Sequence, residues 1–197
     1  ENNEAKESVY KRESGKYDIV HLAMHTLLNE KDPMHSILIF SRESDTIEDG
    51  YLKTFEVYGI PLKAKMVVLS SCNTGTGLLY SGEGILSLAR GFIYSGSQSV
   101  VMSMWEIEDR SGTEIVKMFY KNLKKGYSKS VALRKARITY LKNADQLRSH
   151  PYFWSTLVVY GNNTPLYYSK YLIITFVIAV IIIVASLVFY LRNRRYS

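Results

Sequence analysis

Apolar residues in this chain fall in short blocks between polar stretches, and the blocks switch between strand-like and helix-like spacing. Tyr17 to His25 (YDIVHLAMH) is short, apolar and β-branched, the pattern of an inner strand. A loop with Asn29, Asp32 and Pro33 leads to a second strand at Ser36 to Phe40, and Tyr51 to Tyr58 fits a short helix closed by Gly59 and Pro61. MVVLSS, residues 66 to 71, is almost wholly apolar before its serines, as expected of a strand covered on both faces. Ile85, Leu86, Leu88, Ala89, Phe92 and Ile93 then recur at helical spacing, and Ser99 to Trp105 reads as the next strand. Two helices follow, the first with Asp109 or Ser111 as its cap and the second starting at Ser128 or Ser130; Trp154 to Tyr160 is a last strand. Strands alternating with helices predict an α/β domain with a parallel or mixed sheet and helices on both sides. Ligands of such sheets gather beyond the carboxyl ends of the strands.

The end of the chain has a different pattern. Tyr171 to Tyr190 contains no charge, and as a helix it would extend about 30 Å, the thickness of a bilayer core. It is expected to be a transmembrane helix, with tyrosines at both ends as an aromatic belt and a basic tail, Arg192, Arg194 and Arg195, beyond it. The excess of positive charge on the tail side predicts a single-pass protein with a cytoplasmic tail and the domain on the non-cytoplasmic side. The expected divisions are a polar lead-in at 1–16, irregular or the end of an element, a domain at 17–161, a linker at 162–170, the span at 171–190 and the basic tail at 191–197. Without an initiator methionine the chain reads as a piece of a longer polypeptide.

The formal charge of +7 falls to +4 without the three tail arginines, too mild an excess for a nucleic-acid footprint. A single cysteine excludes an internal disulfide or a cysteine-based metal site within the chain, and the four histidines have no metal-ligand spacing. No cofactor is implied. That cysteine, Cys72, ends the MVVLSS strand and opens the glycine-rich NTGTG loop, while His25 ends the first strand 47 residues earlier. Two readings stand together. Cys72 is a small buried residue of the kind that commonly ends a strand, or it is a thiolate nucleophile with His25 as its base and loop amides as oxyanion donors. His21 lies on the same strand face as His25 but deeper, and is read as a core histidine. His35 and His150 are loop residues without an identified partner.

Five segments, in order from Tyr17 to Gly161, carry a resemblance: HLAMHT; LSSCNTGTG; Gly82-Glu83-Gly84 before a long helix; SVVMSMWEIED; and HPYFWSTLVVYG. Through them the chain resembles the CHAT domain, a caspase-like peptidase family often found behind tetratricopeptide repeats. The resemblance implies a caspase-like three-layer sandwich around a mostly parallel sheet, here lacking its N-terminal elements. It places the catalytic pair at Cys72 and His25, with Thr26, Gly75 and Gly77 shaping the oxyanion loop. Glu83 and Asp109 are cleft candidates, or else helix caps and surface ion pairs; Trp105 is read as packing. Thr26 stands where the family has a glycine, and Asn73 where it commonly has a glutamate.

Two functions are therefore expected. The first is a membrane-anchored cysteine endopeptidase that attacks a peptide carbonyl through Cys72, under the control of an upstream repeat region or adaptor. The second is a catalytically weak or inactive signalling or scaffold module that keeps the fold and binds a protein or peptide in the cleft. A toxin-like effector activated by association would differ from these mainly in its use. The expected partners are a protein or peptide substrate, the upstream repeats and a lipid bilayer, with no nucleic acid.

Overall fold

The computed structural model describes residues 5–42, 48–70, 72–73, 83–106, 108–167, 175 and 178–186. Helix α1 (Glu7–Glu13) precedes strands β1 (Ile19–Leu22), β2 (His25–Leu27), β3 (Ile37–Ile39) and β4 (Tyr51–Lys53). A short α2 (Thr54–Val57), β5 (Met66–Leu69), β6 (Cys72–Asn73), α3 (Glu83–Tyr94) and β7 (Ser99–Ser103) follow. The chain continues through α4 (Asp109–Lys124), α5 (Lys129–Asn143), α6 (Pro151–Trp154) and β8 (Leu157–Gly161).

The strands form two four-stranded sheets, β1-β5-β7-β8 and β4-β3-β2-β6. In the first, β5 and β7 are buried along their whole length because helices cover both faces, which explains their unbroken apolar runs. On one face, Ile85, Leu88 and Phe92 of α3 pack with Val20, Leu22, Val67, Leu69, Val100 and Met102. On the other, Ile115, Phe119 and Leu123, four residues apart on α4, join Leu133, Ala136 and Tyr140 of α5 against Met66, Val68 and Val101. Phe92 is fully buried, so truncating it to alanine would cost about 3–5 kcal/mol.

The mostly parallel sheet is corrected by this topology. β1, β5 and β7 run parallel, but β8 returns antiparallel to β7, and β2-β3 and β3-β4 are antiparallel. The connections 28–36 and 40–50 are too short to hold a crossover helix, so hairpin-like pairing is the geometry open to them. The 51–58 segment, expected to be a helix, divides into β4 and α2 for the same reason: Tyr51–Lys53 completes the hairpin before the chain can coil. Tyr17 to His25 likewise divides, so His25 opens β2 instead of ending β1.

Within the lead-in, residues 7–13 form α1, fastened by a partly buried ionic cluster around Lys11. Glu7 is 1% exposed; it accepts the Gly50 N–H at 3.0 Å and meets Lys11 Nζ at 2.7 Å. Lys11 also meets Glu48 and Glu56 at 2.9 and 3.2 Å. Burial raises the Glu7 carboxyl above its ordinary value, with Lys11 opposing the shift. Burial alone would lower the Lys11 ammonium, but its three carboxylates hold it above the usual lysine range.

The transmembrane helix is a second correction. No helix among the described residues is long and apolar enough to cross a membrane. Residues 178–186 are helical. Apart from residue 175, the rest of the expected span at 171–190 and the basic tail lie outside the described residues. The bilayer partner and the single-pass topology with a non-cytoplasmic domain, both inferred from that helix, lose their basis.

Candidate functional site

β1 with β5 and β2 with β6 form one parallel ladder in two pieces. Every paired residue from Ile19 to Thr26 lies 47 positions before its partner, so Leu22↔Leu69 in the first piece leads to His25↔Cys72 and Thr26↔Asn73 in the second. The Ser70 N–H bonds the Leu22 carbonyl at 3.1 Å and carries the ladder into the gap. His25 and Cys72 are thus direct backbone neighbours across the strand pair, set there by a constant register. Among the described residues β6 is an edge strand, pairing with β2 alone, whereas β5 is flanked on both sides. The segment after β7 stays with β8 at the other edge, where Met104 N–H meets Thr156 O at 2.9 Å and Trp105 N–H meets Thr156 Oγ1 at 3.3 Å. The two sheets therefore diverge just beyond Ser70, at the carboxyl ends of the parallel strands.

His25 is exposed and Thr26 buried, as strand alternation requires. Thr26 is 1% exposed, and its hydroxyl has no hydrogen-bond partner among the described residues. The threonine side chain that replaces the family's glycine therefore fills the core and stays off the His25 face. Gly75 and Gly77 lie outside the described residues. Glu83 and Asp109 begin α3 and α4, where a carboxylate complements the helix dipole.

The first turn of α3 reveals a residue that the sequence pattern did not mark. Glu30, in the loop after β2, accepts the backbone N–H groups of Glu83 and Gly84 at 3.3 Å each. A side chain at Gly84 would come within 3.2 Å of that carboxylate and 3.3 Å of Leu28 and Ser36. The glycine lets the histidine loop seat itself on α3, so one carboxylate links the chain after His25 to the helix beyond the cysteine loop. Its signal was the spacing of Gly82-Glu83-Gly84 before a helix, which pointed to a close approach but not to the partner.

Beneath the pair lies a polar clasp. His21 Nε2 is 2.8 Å from Ser70 Oγ, and Nδ1 is 3.3 Å from the Tyr120 hydroxyl of α4. His21 was expected in the core; its side chain instead reaches solvent while bridging β1, β5 and α4. The packing on its covered side still removes enough water to lower its pKa. Burial pushes the Tyr120 phenol up to about 12. The two loop histidines also have partners: His35 Nδ1 lies 2.7 Å from Asp32 Oδ2, and His150 Nδ1 accepts the Tyr152 N–H at 3.2 Å.

The α4 cap is Glu108, which takes the Ser111 N–H at 2.8 Å and is held below the usual carboxylate range by its bonds from Ser111, with Arg148 adding to the effect. Trp105 donates from Nε1 to Tyr152 O at 3.0 Å and stacks on the Tyr152 ring, yet remains 39% exposed. A groove of about 860 Å³ is lined by Asp145, Gln146, Leu147, His150, Tyr152 and Phe153, none of them a sequence-predicted site residue.

This arrangement corrects the peptidase mechanism. Among the described residues, no side chain hydrogen-bonds the His25 imidazole to orient it as a base, and no group of three or more His, Cys, Asp and Glu residues converges on a point that could hold a metal. An active Cys–His endopeptidase anchored in a membrane therefore has no support in the geometry. What remains, among the described residues, is an α/β domain with a strand edge beside the carboxyl ends of its parallel strands.

The class so defined is a caspase-like α/β module, and comparison with known proteins supplies the family. The CHAT domain family model matches residues 2–162, so the chain belongs to the CHAT domain family. Over 120 residues it is 26% identical to tetratricopeptide repeat protein 28 of Homo sapiens, and over 115 residues 27% identical to the Mus musculus protein of the same name. Those matches take in 61% and 58% of this chain but only 5% of each relative.

Proposed function

We propose that this CHAT domain is a binding module that holds an extended segment of a protein partner in the cleft between β6 and Trp105, without turnover. The single observation behind this reading is the divergence of the two sheets at Ser70, which leaves β6, among the described residues, as an edge beside His25. An extended peptide satisfies such an edge by adding a strand, its main chain supplying affinity and alternate side chains supplying selectivity. His25 and Cys72 then form the floor of the cleft, and Glu83 and Asp109 flank it from the starts of α3 and α4. Trp105 offers an apolar wall with a fixed polar tip. The naming of both relatives for tetratricopeptide repeats supports a repeat region elsewhere in the polypeptide as regulator or source of the bound segment.

The test is a peptide-display selection on the full-length protein, followed by affinity and cleavage measurements on the enriched peptides. Cys72→Ala is expected to bind them within about threefold of wild type, because a backbone-led contact does not need the thiol. Trp105→Ala is expected to weaken binding about tenfold, the loss of one aromatic anchor. Cleavage by wild type that disappears in Cys72→Ala would overturn the noncatalytic reading. Failure to enrich any peptide would overturn the cleft itself.

A further inference from the structure

We infer that the outward face of α5 is a second docking surface, specific for an acidic amphipathic helical segment of a protein partner. Between Glu114 and Asp145 the chain contains no acidic residue, yet it carries nine lysines and arginines. Two of these are used internally. Lys129 Nζ donates to the carbonyls of Asn162 and Thr164 at 3.0 and 2.9 Å, and Arg137 donates to those of Ser155 and Leu157. The other seven, Lys117, Lys121, Lys124, Lys125, Arg134, Lys135 and Lys142, are exposed and take part in none of the ion pairs among the described residues. A solvated helix face usually intersperses acids at i, i+4, and like charges at that spacing are mildly destabilising. Folding alone does not call for this pattern.

The apolar residues of α5 divide between two faces. Ala132, Leu133, Ala136 and Tyr140 are buried against the sheet side. Val131 and Ile138 point outward, 40% and 42% exposed. Val131, Lys135, Ile138 and Lys142 recur at i, i+4, i+7 and i+11, so aliphatic and cationic positions alternate along one stripe, with Arg134 beside it. Lys135 Nζ lies 4.6 Å from the Tyr127 ring centroid, which holds that cation at the surface before anything binds. Charge complementarity makes the occupant acidic, and the two aliphatics, about 10 Å apart along the helix, match the two-turn spacing of anchors on a partner helix. A nucleic-acid surface would instead present aromatic platforms for bases, and the one tyrosine here is covered by Lys135.

The experiment uses the full-length protein and three fluorescent probes. One is a synthetic Glu/Leu peptide with leucines along one helical face; the others are polyglutamate of equal charge and a single-stranded RNA of about 20 nucleotides. The Glu/Leu peptide is expected to bind wild type most tightly, and added salt to weaken it. Arg134→Glu/Lys135→Glu/Lys142→Glu is expected to reduce that affinity at least about tenfold, and Val131→Ser/Ile138→Ser about threefold to tenfold. Polyglutamate should be insensitive to the serine pair. All five positions are exposed, and circular dichroism melts check the fold; if charge reversal unfolds the protein, glutamine at the same three positions is expected to give the same order. The proposal is overturned if the Glu/Leu peptide does not bind, or if neither variant changes its affinity. It is equally overturned if RNA or polyglutamate binds wild type as tightly as the Glu/Leu peptide.

Discussion

Gly96→Ala tests how α3 is held at the end away from the cleft. The helix ends in a Schellman motif: Ser97 N–H bonds Phe92 O at 3.0 Å and Gly96 N–H bonds Ile93 O at 3.0 Å, with Gly96 at φ +111°. Holding an L-residue at positive φ costs about 1–2 kcal/mol. A Cβ there would also lie 2.3 Å from the Leu62 carbonyl oxygen, and that peptide is fixed because Leu62 N–H bonds Ser95 O at 2.7 Å. Relief requires a shift of about 1 Å, which breaks this bond at a further cost of about 1 kcal/mol and loosens buried Leu62 by about as much. The more restricted unfolded chain returns about 0.4–1 kcal/mol. The net expectation is a loss of about 3 kcal/mol, or about 6–12 °C in Tm for a domain of this size. Urea and thermal unfolding measure it, with Gly59→Ala as control, since a Cβ there meets only Glu56 O at 3.4 Å and the loss should stay within about 1 kcal/mol. Gly96→Asn separates the two causes, because asparagine tolerates positive φ but carries the same Cβ. Equal stability of Gly96→Ala and Gly59→Ala, or rescue by asparagine, would refute the steric account.

Three further outcomes follow from the site. Glu30→Gln removes the charge from the α3 cap and should cost about 0.5–1 kcal/mol; hydrogen exchange should quicken in the first turn of α3 and stay unchanged in α5. Glu108→Ala removes the α4 cap at a cost of about 1 kcal/mol by urea unfolding. The same carboxylate sits below its ordinary value, so its stabilisation is present at neutral pH and lost as pH falls through the folded-state value, and the wild-type minus Glu108→Ala difference should shrink in acid. His21 has a dependence of the same sign in a higher pH range: with its pKa lowered by burial, the folded state binds fewer protons than the unfolded chain, so stability declines as pH falls from about 6.5 to the folded-state value. His21→Gln should flatten that decline in chemical-denaturation series across the histidine range, and an unchanged slope would remove His21 as its source.

What the sequence disclosed depended on whether a feature is local or paired. The interior strands and long helices were legible because burial writes a period into the residues: the apolar runs of β5 and β7 and the four-residue spacing of Ile115, Phe119 and Leu123 each report one covered surface. The hairpin β2-β3-β4 was not, since Tyr51–Lys53 has too few residues to distinguish a strand from a helix start, and its partner Ile37–Ile39 decides. The proximity of His25 and Cys72 was visible as a spacing of 47, but the spacing mattered only because the ladder keeps that offset across its gap. A one-residue change in register would turn one of the two to the opposite face. The His21–Ser70–Tyr120 clasp and the Glu30 cap were hidden for the related reason that a hydrogen bond between residues far apart in sequence leaves no periodic trace. Both join elements on either side of the pair: the clasp ties β1 to β5 just before the divergence, and Glu30 ties the loop after β2 to α3 just beyond it. The His25–Cys72 backbone pair is thereby flanked on both sides by contacts that do not involve Cys72. Under the proposed binding role such support matters, because the ladder beneath the strand edge does not depend on what the edge binds.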